Sequence, residues 1–211
     1  MKKRNVIPRI FHYHELAIES HPDVYEPAED SFLLLEALDI RPNDSALEIG
    51  TGSGLIALDC ARRGAHVICS DINPFAVRLT RRNIERNRDL LKGSIEVRQG
   101  NLFATLRNSE LFDVIIFNPP YLPTTKEEKV GGWFDVATDG GRDGLHHTKR
   151  FIYGLKNRLS ETGRGYFIFS SLSKRTTLEK SLKQGGFHFE ICAKRLFEGE
   201  ELDVYRVTPA D

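Results

Sequence analysis

The 211-residue chain predicts an α/β fold: a seven-stranded, mostly parallel sheet with helices on both faces and an antiparallel hairpin at its C-terminal edge. Three observations lead there. Short apolar runs alternate with segments of helical period along most of the chain, which is the pattern of βα units. A glycine-rich turn, Gly50-Thr51-Gly52-Ser53-Gly54, joins the first of these runs to a helix. The last two strand-like segments follow one another with no helix between them, as an antiparallel pair does.

Residues 1–24 have weak periodicity and are expected to be an irregular or short extended arm ending in the turn-prone His21-Pro22-Asp23; residues 25–211 are expected to form a single domain. Within the arm, Lys2-Lys3-Arg4 reads as a solvated tail. A helix is predicted over Phe32–Leu38, capped by Asp30 or Ser31 and broken at Arg41-Pro-Asn-Asp44. Strand and helix then alternate: Ser45–Ile49 extended, Leu55–Arg63 helical, His66–Ser70 extended and Pro74–Arg88 helical, with Pro74 suited to a first turn. Ser94–Arg98 is a short strand and Asp113–Phe117 an apolar one. His147–Ser160 is a helix, Gly165–Ser170 a strand and Lys174–Gln184 a helix. In the closing pair Phe187, Phe189 and Ile191 alternate with His188, Glu190 and Cys192, and Leu202–Val207 follows the turn region Glu198-Gly-Glu-Glu201. The stretch from Leu122 to Gly144 has no clear period. A connection of that length in a compact domain is more often functional than idle, and Lys126-Glu-Glu-Lys129, Gly131-Gly132-Trp133-Phe134 and Gly140-Gly-Arg-Asp-Gly144 suit a substrate-facing lid.

Thirty basic and thirty acidic residues cancel, and a pI near 7.1 gives no global field to draw nucleic acid or an anionic membrane. Cys60, Cys69 and Cys192 are odd in number, widely spaced and in apolar contexts, so they read as reduced core residues, and no zinc spacing appears. No apolar run approaches 18 residues and no signal-type segment opens the chain, so a soluble cytoplasmic protein is expected. His146 and His147 are adjacent; on a helix they point about 100° apart and do not readily share a metal.

The chemistry-bearing residues fall at strand ends, where open α/β sheets bind ligands. The glycine turn has the spacing G-x-G-x-G rather than the G-x-G-x-x-G that suits a dinucleotide pyrophosphate, which disfavours NAD. Asp71 ends the second strand of the alternating series, where a carboxylate can accept both hydrogen bonds of a ribose diol. After the third strand, Asn101 can bond an adenine edge and Leu102 can lie against the ring. After the fourth comes Asn118-Pro119-Pro120-Tyr121. Two prolines hold the backbone extended and add carbonyls without competing N–H groups. The Asn118 side-chain oxygen and the Pro119 carbonyl can take both hydrogens of a planar –NH2 group while Tyr121 packs on its plane.

With Glu48-Ile-Gly-Thr-Gly-Ser-Gly54, Asp71, Asn101 and Asn118-Pro-Pro-Tyr121, the chain resembles the class I S-adenosylmethionine-dependent methyltransferases of Rossmann-like fold, and the last motif resembles enzymes that methylate exocyclic or amide –NH2 nitrogens. Val24-Tyr-Glu-Pro-Ala-Glu-Asp-Ser-Phe-Leu-Leu-Leu35 and Gly140-Gly-Arg-Asp-Gly144 narrow the resemblance to the HemK-like release-factor glutamine methyltransferases in their short archaeal and eukaryotic form. It extends from Val24 to Val207. One departure is Asn101, where relatives often carry Asp. The resemblance implies S-adenosylmethionine as cofactor. Ser31 and the backbone of Tyr25 to Pro27 would lie at its methionine part, Glu48 and Gly50 near its amino group and sulfonium path with Gly52 and Gly54 in the same turn, Asp71 at the ribose, and Asn101 and Leu102 at the adenine, with Asn118 also counted among the cofactor-binding residues. It implies N5-methylation of a glutamine in the Gly-Gly-Gln loop of a peptide-chain release factor. It also implies a small zinc-binding activator that adds a strand to the sheet edge. Ser94–Arg98 is the candidate edge, although Glu96 and Arg98 there equally fit charges that protect an edge from pairing.

An amide nitrogen is a poor nucleophile because its lone pair is delocalised, so two acceptors fixing both N–H bonds aim that lone pair at the methyl group, and no general base is demanded. Asn118 and the Pro119 carbonyl orient the amine, Pro120 supplies rigidity and Tyr121 packs on the target. The same ledge admits an adenine N6 or guanine N2 amine of DNA or RNA. Zero net charge and the absence of room for a target-recognition domain weigh against that alternative. A catalytically silent cofactor-binding scaffold is the other competing reading.

Overall fold

The computed structural model describes residues 9–125, 131–197 and 199–210. Lys2-Lys3-Arg4, Lys126–Lys129 and Glu198 lie outside the described residues. Two strands precede the alternating series: β1 (Ile10–Tyr13) and β2 (Leu16–Glu19) form an antiparallel hairpin where an irregular or short extended arm was expected. The alternation that produces it is short, but Leu16 and Ile18 are fully buried and stand on one side of the ribbon, as a period of two requires.

The remaining strands are β3 (Ser45–Ile49), β4 (His66–Asp71), β5 (Ser94–Gln99), β6 (Phe112–Phe117), β7 (Leu159–Ser170), β8 (Phe187–Phe197) and β9 (Glu200–Pro209). They form one seven-stranded sheet in the order β5-β4-β3-β6-β7-β9-β8. Neighbours from β5 to β7 are parallel, and β9 lies antiparallel to both β7 and β8. The predicted class, with its C-terminal antiparallel hairpin, is therefore the observed one. Strand order reverses at β3, the crevice where such sheets bind ligands.

Both faces are covered. Val114 and Ile116 of β6 pack with helices α1 (Glu29–Ala37) and α2 (Leu55–Arg62) and with Leu16 and Ile18 in one cluster. Ile115 and Phe117 point the other way, among residues of α5 (His146–Leu155) and α6 (Arg175–Gly185). Helix α3 (Pro74–Arg86) carries Pro74 in its first turn, with Asn73 as cap accepting from the Phe75 N–H at 2.8 Å. Its Asn83 and Asn87, one turn apart, do the work of a neighbouring strand for β2. Each Oδ1 accepts a β2 backbone N–H and each Nδ2 donates to the same residue's carbonyl, at Glu19 and Ala17.

Several boundaries differ from expectation for identifiable reasons. Helix α1 starts earlier, with Ala28 as its cap and no side-chain capping bond, so Asp30 and Ser31 sit inside the helix and not at its cap. Helix α5 ends at Leu155 rather than Ser160 because Leu159 turns into the core beside Phe112 and opens β7. The irregular register between Phe112/Val114 and Leu159/Arg164 lets β7 run longer than its apolar part. Cys60 and Cys69 are buried, but Cys192, expected in the core, is exposed at the register shift of β8. Within 122–144, α4 (Trp133–Thr138) is a short helix that the sequence pattern did not reveal.

Candidate active site

A cavity of about 370 Å³ opens at the carboxyl ends of β3, β4 and β6. It is lined by Tyr25, Pro27, Ser31, Glu48, Gly50, Gly52, Asp71, Asn101, Leu102, Asn118, Pro119, Pro120 and Tyr121, which brings together residues almost a hundred positions apart. Gly54 alone among the expected residues is not part of the wall. It caps α2 in the left-handed region, at φ 84°, and supports the turn from behind.

The turn after β3 depends on backbone that only glycine takes without strain, with Gly50 at φ 69° and Gly52 at φ 56°. Asp71 holds this turn: one carboxylate oxygen accepts from the Gly52 N–H at 2.9 Å and the other from the Asn73 N–H at 2.8 Å. Burial pushes the Asp71 carboxyl above its ordinary range, and these backbone bonds oppose the shift. At the far end Asn101 is exposed. Leu102 adopts φ 49°, a left-handed conformation uncommon for a branched side chain and one that clusters at functional sites.

Glu48 is buried beneath the turn. Its Oε2 accepts from the Thr51 hydroxyl at 2.7 Å and from the Ala57 N–H at 3.1 Å. Burial pushes its carboxyl up to about 8; the two hydrogen bonds pull it down and Asp71 pushes it further up.

The ledge after β6 is held from an unexpected direction. Asn118 donates through Nδ2 to Asp30 Oδ2 at 3.0 Å, and the Tyr121 hydroxyl donates to the same oxygen at 3.3 Å. The Tyr25 hydroxyl also reaches it, at 3.2 Å. Asn118 Oδ1 is buried and has no hydrogen-bond partner among the described residues. Behind the ledge, Gly140 and Gly144 lie against the Tyr121 backbone. A Cβ on Gly140 would stand 2.8 Å from the Tyr121 carbonyl carbon, and one on Gly144 would stand 2.6 Å from its oxygen. The Gly-Gly-Arg-Asp-Gly motif thus serves close backbone approach.

Trp133 and Phe134, expected in a substrate-facing lid, lie on the cavity wall, while sequence reasoning missed Asp30, Thr51, Val136 and His147, all of which line or support the cavity. For Asp30 and Thr51 the signal was their place inside the quoted motifs. Nothing in the local pattern distinguishes the α4 residues from loop. Burial holds the His147 imidazole below its ordinary value, with His146 and Arg150 adding to the effect. The two histidine rings meet edge to face at 4.9 Å.

The methyltransferase small domain family matches residues 15–133. The chain is 43% identical over 190 residues to a Methanocaldococcus jannaschii protein provisionally named a protein N5-glutamine methyltransferase, covering 90% of this chain and 93% of that one. It is 32% identical to methyltransferase HEMK2 of Homo sapiens, over 88% of this chain and 90% of the relative. It is also 32% identical to the eRF1 methyltransferase catalytic subunit mtq2 of Schizosaccharomyces pombe, over 92% of both chains. Among solved structures, the fold is shared with the E. cuniculi Mtq2-Trm112 complex, at TM-score 0.68 and 23% identity over 89% of this chain and 99% of that one. It is shared as well with a T. thermophilus 16S rRNA N2-guanosine methyltransferase bound to S-adenosylmethionine and guanosine, at TM-score 0.70 and 22% identity over 96% of this chain and 50% of that one. The fold, the cavity at the switch point and these relatives converge: the chain belongs to the methyltransferase small domain family and, within it, to the HemK-like S-adenosylmethionine-dependent methyltransferases.

Proposed function

We propose that the protein transfers a methyl group to the N5 amide nitrogen of a glutamine, and that its substrate is the Gly-Gly-Gln loop of a peptide-chain release factor. The observation that carries the reading is the Asn118 amide, whose nitrogen is committed to Asp30 while its buried oxygen has no hydrogen-bond partner among the described residues. The names of the mtq2 and N5-glutamine relatives support the same acceptor.

The residues present fit S-adenosylmethionine. Each Asp71 oxygen accepts one backbone N–H and keeps a lone pair for a ribose hydroxyl. Asn101 and Leu102 would hold the adenine, and Ser31, the Tyr25–Pro27 backbone, Glu48, Gly50 and Gly52 the methionine end. When bound, the cofactor supplies an electrophilic methyl on its sulfonium. The ledge supplies orientation: Asn118 Oδ1 and the Pro119 carbonyl accept the two amide hydrogens and so direct the nitrogen lone pair. Pro120 fixes the ledge and Tyr121 packs beside the target. The apolar side chains of α4 at the cavity wall, Trp133, Phe134 and Val136, give the loop flanking the glutamine an apolar surface to rest on.

A small activator subunit fits β5, which is one edge of the sheet. Pairing there would satisfy its open backbone groups. The solved Mtq2-Trm112 complex supports this part of the reading.

The test is transfer of labelled methyl from S-adenosylmethionine to a release factor, with the activator co-expressed. Label is expected on the wild-type factor and not on one carrying Gly-Gly-Ala. No transfer to the wild-type factor, or equal transfer to both, overturns the substrate assignment.

A further inference from the structure

We propose that Asp30 is a positioning residue for methyl transfer: its carboxylate sets which end of the Asn118 amide faces the substrate and ties the ledge to the N-terminal segment beside the cofactor cavity. The inference deepens the reading of Asn118 given above and rests on it.

Asp30 is the second residue of α1 and is 4% exposed. An acid in a first helical turn interacts favourably with the helix N-terminus, which accounts for the charge but not for what it touches. One oxygen, Oδ1, accepts from the Ser31 N–H at 2.6 Å and from the Ser31 hydroxyl at 3.1 Å. The other, Oδ2, receives three donors from two parts of the chain: Asn118 Nδ2 at 3.0 Å and the Tyr121 hydroxyl at 3.3 Å from the ledge, and the Tyr25 hydroxyl at 3.2 Å from the segment before α1. Desolvation first, and the Asp30 charge next, push both phenols above their ordinary value, so they remain donors at every pH where the fold is used.

The consequence follows from the donor and acceptor inventory. A primary amide presents N–H on one side and C=O on the other, and a neutral neighbour such as a hydroxyl pairs with either. Ser31 Oγ, 3.5 Å from Asn118 Nδ2, is such a neighbour and selects neither. A carboxylate only accepts, so it holds the Asn118 nitrogen and leaves the oxygen as the free acceptor. Because the bond to a charged acceptor is stronger than a neutral one, the wrong orientation is disfavoured before substrate arrives. The acceptor end of the amide is therefore preorganised. Through the same oxygen, the Tyr25 and Tyr121 phenols fix the separation between the Tyr25–Pro27 segment and the ledge.

The sharpest variant is Asp30→Asn, which keeps the shape but offers an amide that can pair with either end of Asn118. In cofactor-bound protein, the Asn118 side-chain NH2 resonance, identified by its loss in Asn118→Ala, is expected to be protected from hydrogen exchange. Exchange should be roughly tenfold faster or more in Asp30→Asn, and protection should persist in Tyr25→Phe, which removes a phenol and leaves the carboxylate. In turnover, Asp30→Asn should lower kcat about 10–100-fold with KM for the cofactor changed less than about threefold, and Asp30→Glu should recover part of the loss. Asp30→Ala, judged by the same exchange measurement and by its melting curve, covers the case in which the isosteric variant perturbs packing. Unchanged Asn118 protection in Asp30→Asn overturns the inference. Loss of protection there in a protein that methylates no release factor leaves Asp30 in its role and removes the substrate assignment instead.

Discussion

Asn83 of α3 closes both backbone hydrogen-bonding groups of Glu19, accepting its N–H at 2.9 Å and donating to its carbonyl at 3.1 Å. The same amide nitrogen reaches the Ser53 carbonyl at 2.8 Å, so one side chain joins the N-terminal hairpin to the glycine turn of the cavity. Asn83→Ala would leave these buried groups without partners. It is expected to cost roughly 2–4 kcal/mol, read as a shift of the urea midpoint at constant m-value. A midpoint within experimental error of wild type would show that water replaces the amide.

Asn118→Ala removes the acceptor and leaves the cofactor half of the cavity in place. Turnover should fall about 10²–10³-fold, the usual scale for deleting one orienting donor or acceptor at a reacting group. Cofactor affinity by calorimetry should stay within a few-fold. An equal loss of both would reassign Asn118 to cofactor binding.

Gly54 faces Thr80 so closely that an added Cβ would stand 2.7 Å from its Cγ2, on a backbone at φ 84°. Gly54→Ala therefore combines left-handed strain with overpacking and should destabilise by about 1–3 kcal/mol. Thr80→Ala in the same chain removes the clash but not the strain. The double variant should recover part of the loss, so a double-mutant cycle separates the two contributions. Strict additivity would place the whole cost in the backbone.

Glu48 predicts the pH dependence. Its carboxyl, ordinarily near 4.5, is pushed up to about 8 in the folded protein by burial, against the hydrogen bonds from Thr51 and Ala57. The folded state thus binds this proton more tightly than the unfolded chain does. Its stabilising effect is complete below about 4.5 and is lost as pH rises towards 8, at no more than about 1.4 kcal/mol per pH unit. Glu48→Gln, which resembles the protonated form, should flatten that slope in thermal melts across this window. If the cofactor's ammonium group sits beside Glu48, binding near neutral pH should release on the order of one proton, measured as a buffer-dependent calorimetric enthalpy. No dependence on buffer would separate the ammonium from Glu48.

The fold class was legible in the sequence because a sheet covered on both faces leaves a pattern. Val114-Ile-Ile-Phe117 is continuously apolar since alternate residues meet opposite helix layers, and the positions of Glu48, Asp71, Asn101 and Asn118 at strand ends followed from counting βα units. Turn chemistry was legible for the same local reason: Gly50 and Gly52 adopt backbone that other residues avoid. Tertiary structure alone decided the pairing of distant groups. The motif around Asp30 does not mark it as the acceptor for Asn118 and Tyr121, because those two donors, some 90 residues on, reach it only when the start of α1 meets the ledge after β6. The β1–β2 hairpin was hidden because its backbone is satisfied by asparagines on a helix some 64 to 70 residues away, and α4 because six residues are too few to show a period. Local propensity wrote the elements and their ends; only packing determined which carboxylate holds which amide.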